Sequence, residues 1–197
     1  YLTAIETHIE GVTLVDIEFN STYNENGSCS NGKNLTAQDL DCPTCRNLSD
    51  PAVPVFIPYK ISPAGTYGTL DYKVADGLRT QLKTMRIKLQ DVGIASNSNT
   101  DTQWKVTESW KPSRQHCNEC HYKGTCVDAN FFGISPTVEN IRKFMQAAKD
   151  SNLIAVYEVQ SDTRKQELQV ITTQFGDKSV LNLGSWISAE HFSVYKK

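Results

Sequence analysis

Apolar residues recur along this chain with two periods, and the switches between them mark its elements. Over residues 71–92, Val74, Leu78, Leu82, Met85, Leu89 and Val92 follow a four-four-three-four-three spacing, which places them on one helical face. Lys and Arg fill much of the rest, and Gly93 stands where a helix-ending glycine is expected. A second helix is predicted over 135–150, with Ser135 as N-cap and Pro136 at the first helical position. Its apolar face is Val138, Ile141, Phe144, Met145 and Ala148. Alternating or continuous apolar runs predict strands at 2–5, 12–19, 104–109, 153–159 and 190–195. A further strand is predicted over Glu167–Ile171, paired with 153–159. The prolines in Val53–Pro58 suit an edge position or a linker. Residues 20–52 are rich in Asn, Ser, Gly and Asp and have no period, so they read as a loop that needs a covalent staple. The order of elements is α+β: a small antiparallel sheet with two main helices, residues 61–197, preceded by a Cys-rich extension, residues 1–60.

Composition narrows the function classes. Twenty Lys and Arg stand against twenty-two Asp and Glu, a net charge of −2 with no long run of either sign. That argues against nucleic acid or an anionic membrane surface as a partner. No apolar stretch approaches the ~20 residues of a membrane span. The chain opens at Tyr1 with no visible signal peptide, so it reads as a mature or excised piece of a longer protein. Six cysteines fall in two groups: Cys29, Cys42 and Cys45, then Cys117, Cys120 and Cys126. Three disulfides would place the chain in an oxidising compartment: extracellular, periplasmic or at the cell surface. Alternatively, Cys42, Cys45, Cys117 and Cys120 would make a four-thiolate zinc site, leaving Cys29 and Cys126 over.

The stretch His121-Tyr-Lys-Gly124-Thr-Cys-Val-Asp128 carries the candidate chemistry. A His and an Asp seven residues apart can reach one metal if the chain turns at Gly124 and then runs extended. Imidazole and carboxylate are ligands that Zn²⁺ accepts. A distant third ligand is then needed, and His191 is the candidate. The bland alternative is an ordinary complement of four histidines with no site. His116 and Glu119 are either partners of the ligands or exposed loop residues. Trp104, Trp110 and Trp186 either line a cleft or belong to the core. Ser109 and Ser113 have no recognisable His–Asp relay.

Residues 62–197 resemble the zinc D-Ala-D-Ala carboxypeptidases, the L-alanyl-D-glutamate endolysins and the hedgehog amino-terminal domain. The resemblance lies in a helix, a strand, the run "ESWKPSRQHCNECHYKGTCVDANFFG" and the ending "HFSVYK". The family pattern His-x-x-Gly-x-Ala-x-Asp is met by His121, Gly124 and Asp128, and His191 matches the third ligand. The stretches around "TES", "GTCVDANF" and "HFSVY" also resemble bacterial cell-envelope proteins. The resemblance implies a zinc ion on His121, Asp128 and His191. Three departures accompany it. The family's Ala is Cys126, whose bond to Cys120 or Cys117 would clamp the loop around His121. The family's oxyanion-facing Arg is Lys111, which supplies charge without a bidentate fork. The acid three residues before the last His is Ser188, which leaves Glu190 and Glu158 as candidate bases. Glu190 adjoins His191, and neighbours in a strand face opposite sides.

The implied activity is zinc-dependent hydrolysis of a cell-wall or D-amino-acid-containing peptide, with a peptidoglycan stem peptide as substrate or ligand. Two alternatives stand beside it. One is a catalytically silent extracellular binding or assembly module that keeps the fold and its metal. The other is a disulfide-stapled domain with no metal.

Overall fold

The computed structural model describes residues 42–48, 57, 59, 73–96, 102–110 and 120–197. In chain order the elements are β1 (Cys45–Asn47), β2 (Lys73–Ala75), α1 (Asp76–Asp91), β3 (Trp104–Glu108), α2 (Cys120–Lys123), β4 (Cys126–Phe131) and α3 (Val138–Lys149). There follow β5 (Leu153–Val159), α4 (Asp162–Glu167), α5 (Gln169–Phe175), β6 (Val180–Asn182) and β7 (His191–Lys196). The main sheet has the order β3-β4-β7-β5-β6, antiparallel except that β6 runs parallel to β5. The chain is therefore mixed α and β around a small, mostly antiparallel sheet. A separate two-stranded ribbon joins β1 to β2. The predicted strands at 2–5 and 12–19 lie outside the described residues, as does most of 53–58.

The helical periods hold where the core needs them. Leu78, Leu82, Met85 and Leu89 of α1 are fully buried. The helix begins at Asp76 rather than 71, because Lys73–Ala75 is taken up by pairing with β1. Its end is the predicted glycine stop. Gly93 has φ +82°, its N–H bonds to the Gln90 carbonyl, and the Ile94 N–H reaches back to Leu89. Helix α3 starts later than Ser135 predicts. Thr137 is the N-cap, its hydroxyl accepting from the Asn140 N–H at 3.2 Å. The Pro136 carbonyl instead accepts from Arg164.

The strand predicted over Glu167–Ile171 is corrected: these residues are helical. Ser161 caps α4 by accepting from the Arg164 N–H. Leu168 and Ile171 are buried while Val170 is exposed, so the working period is three to four, with Phe175 one turn further on. The place beside β5 is taken by β6.

One face of the sheet packs on α1 and α3 through aromatic rings. Phe144 stacks on Phe192 at 3.8 Å between centroids and meets Trp104 and Phe131 edge-on. Trp104 is thus a core residue. Leu48 and Ile57 belong to the same core, so chain assigned by sequence to the extension contributes to it.

Candidate metal centre

The opposite face of the sheet is polar at its centre, and strand register explains why. Asp128 on β4 pairs with Ser193 on β7, and Glu158 on β5 pairs with His191 on β7. Paired residues share a face, and so do His191 and Ser193, two apart on one strand. Four polar side chains from three strands therefore stand together. His121 joins them from α2, one turn before the start of β4. The turn between α2 and β4 is tight: the Thr125 N–H bonds to the Cys120 carbonyl, and Gly124 has φ +64°. A disulfide joins Cys120 to Cys126 across this turn. A second disulfide, Cys42–Cys45, packs directly on Gly124, and the Cys42 Sγ lies 3.3 Å from the Lys123 carbonyl oxygen. These two bonds replace the four-thiolate zinc alternative, since three of its four cysteines are paired otherwise.

The structure brings His121, Asp128 and His191 together. His121 Nε2 is 3.3 Å from Asp128 Oδ1, and His191 Nε2 is 3.9 Å from Asp128 Oδ2. Each imidazole thus faces its own oxygen of one buried carboxylate. His191 Nε2 is also 3.1 Å from Glu158 Oε2. Ser193 Oγ donates to Glu158 Oε1 at 2.9 Å and lies 3.3 Å from Asp128 Oδ1. His121, Asp128, Ser193 and Glu158 are all buried, which makes two neighbouring carboxylates costly unless positive charge accompanies them.

The hydrogen bonding of His191 identifies where that charge belongs. Its Nδ1 is 2.8 Å from the Ala189 carbonyl oxygen, an acceptor, so Nδ1 carries a proton. Its Nε2 faces two carboxylates, so that nitrogen holds either a second proton or a cation. As a metal-free group, His191 is pulled down by burial. The Glu158 hydrogen bond and the charges of Asp128 and Glu158 outweigh this and raise its pKa to about 10. Imidazole and carboxylate are donor types that Zn²⁺ accepts, and a backbone carbonyl orients one imidazole, but the two rings meet only through Asp128 rather than as one tight ligand group.

The two candidate bases separate cleanly. Glu158 is on the face that carries Asp128 and His191. Glu190 accepts from Tyr157 Oη at 2.9 Å and from Arg164 Nε at 3.1 Å, on the side of the helical core. Burial first, then the Glu190 carboxylate, push the Tyr157 hydroxyl pKa up. The Glu190 carbonyl accepts from Asn130 Nδ2, so this residue anchors the entry to β7. Lys111, His116 and Glu119 lie outside the described residues. Ser193 and Arg164 were missed by sequence reasoning. For Ser193 a signal existed: it stands two residues after His191 in a strand, hence on the same face.

A further grouping lies beside the first. The ligand atoms of Cys120, His121 and Cys126 are all within 4.8 Å of one another. The two sulfurs are bonded to each other, and a disulfide sulfur offers a metal no thiolate charge. Among the described residues no helix is long and apolar enough to cross a membrane. No family model matches the chain, and neither a curated protein nor a solved structure matches it.

Proposed function

We propose that this chain is a zinc-dependent peptidase-like domain acting on cell-wall or other D-amino-acid-containing peptides. The observation that carries the reading is the placement of two imidazoles on the two oxygens of buried Asp128, with Glu158 beside His191. His121, Asp128 and His191 would hold the ion. When bound, zinc supplies a water of lowered pKa and polarises the carbonyl under attack. Glu158 is the group that accepts the water's proton and passes it to the leaving amine. Ser193 holds the Glu158 carboxylate in place by donating to it. The Ala189 carbonyl fixes the ring orientation of His191. The two disulfides fit an oxidising compartment, in keeping with a substrate outside the cytoplasm.

A second reading has its own observation. Glu158 is close enough to His191 to act as a fourth ligand, and four protein ligands make a closed, structural zinc site. The chain would then be a silent binding or assembly module. Elemental analysis after dialysis tests both. About one zinc per chain is expected in the wild type, and none in His121→Ala. Glu158→Gln then divides the readings. Retained zinc with lost hydrolysis of a D-Ala-D-Ala stem peptide supports the enzyme. Lost zinc supports the closed site. A folded wild type that takes up no zinc refutes both.

A further inference from the structure

His121 belongs to two groupings at once, one with Asp128 and one with the sulfurs of the Cys120–Cys126 disulfide. On one side its Nε2 meets Asp128 at 3.3 Å. On the other, its ring lies with both disulfide sulfurs inside a 4.8 Å circle. Ligands of a tetrahedral zinc ion at ~2.0–2.3 Å from the metal stand roughly 3.3–3.8 Å apart. Side-chain rotation, without movement of the strand, covers that difference once the sulfurs are no longer bonded to each other. Gly124 and the Cys120 carbonyl, which receives the Thr125 N–H, keep the turn closed meanwhile.

We propose that the reduced chain contains a second, soft-metal site, in which the Cys120 and Cys126 thiolates and His121 bind a zinc-type divalent ion, so that oxidation state decides which ligand set His121 serves. Asp128 stands 3.3 Å from Nε2, so in the proposed site Nδ1 is the ligating nitrogen, the carboxylate–histidine–metal order common in zinc proteins. The switching chemistry is thiol–disulfide exchange with a dithiol. Its thiolate attacks the Sγ of Cys120, the less buried of the two residues, and the S–S bond breaks with Cys126 leaving as thiolate. The second thiol of the reductant closes on its own sulfur, releases Cys120 and leaves as a cyclic disulfide. Two electrons pass to the protein. Both cysteines then give the metal thiolate sulfurs, and their protons pass to solvent.

This site does not depend on the peptidase reading and shares only His121 with it. The test is cobalt titration of the full-length chain, oxidised and after phosphine reduction, read by thiolate-to-cobalt charge-transfer absorption in the near ultraviolet. The band is expected in reduced wild type, in reduced Cys42→Ser/Cys45→Ser and in reduced His191→Ala. It is expected to be absent from the oxidised wild type and from reduced Cys120→Ser/Cys126→Ser. No band in reduced wild type, or a band that survives loss of Cys120 and Cys126, overturns the proposal. If the double serine variant does not fold, alkylation of reduced wild type decides. Zinc must shield Cys120 and Cys126 from iodoacetamide, as read by peptide mass analysis, and unchanged labelling overturns the proposal. His191→Ala keeps the two readings apart, because it should abolish zinc binding by the oxidised chain and leave the reduced-state band intact.

Discussion

Replacing Gly124 by alanine tests how the turn between α2 and β4 is held. Gly124 has φ +64°, and a non-glycine residue there costs about 1–2 kcal/mol in backbone conformation alone. A Cβ would also lie 3.0 Å from the Ala75 nitrogen and 3.1 Å from Cys42 Sγ, and closer still to Cys45 Sγ. None of these neighbours can swing away, since one is backbone and the others are tied in a disulfide. Overpacking of this kind adds about 1–3 kcal/mol, for a total of about 2–5 kcal/mol. Gly133→Ala is the matched control. Its φ is +67°, and an added Cβ has nothing within 4 Å, so only the backbone share applies. Urea denaturation of the oxidised proteins gives both numbers. Because the Ala75 N–H donates to the Gly124 carbonyl at 2.9 Å, displacing the turn also shifts His121, three residues earlier. Zinc affinity should therefore fall in Gly124→Ala and not in Gly133→Ala. Equal destabilisation of the two variants would refute the close packing of the Cys42–Cys45 disulfide on the turn between α2 and β4.

Three further outcomes are expected. Thr137→Ala should cost about 1 kcal/mol by removing the cap of α3, whereas Ser135→Ala should change stability little; equal effects in urea would return the cap to Ser135. Phe144→Ala should cost about 3–5 kcal/mol, because its ring stacks on Phe192 in a fully buried cluster, and a near-neutral result would contradict that packing. In chelator, the His191 pKa of about 10 lies above its ordinary 6.5, so its contribution is complete below pH 6.5 and is lost as pH rises toward 10. The urea midpoint should fall over that window in the wild type and fall less in His191→Gln; parallel slopes would argue against the Glu158 and Asp128 contacts.

The elements legible in the sequence were those with a strong local run or period of apolar residues. The faces of α1 and α3 follow from apolar spacing alone, and Leu153–Val159 and the last strand follow from their apolar residues. In the Glu167–Ile171 stretch Leu168 and Val170 alternate like a strand, and only burial reveals that Leu168 and Ile171 are the working pair. The start of α1 differs from its apolar period for another reason. Lys73–Ala75 bonds to residues nearly thirty positions away, and no local period records that.

The candidate centre divides in the same way. His121, Gly124 and Asp128 are close in sequence, so a turn and an extended run suffice to relate them. Only half of the choice between Glu158 and Glu190 could be made locally. Adjacency to His191 places Glu190 on the other face, and only the pairing of β5 with β7 puts Glu158 opposite His191. By itself the sequence determined which segments are helices and strands where their periods are strong, and which residue types could bind a metal. The tertiary structure decided which of them meet, because register between strands is set by the packing of the whole sheet on α1 and α3.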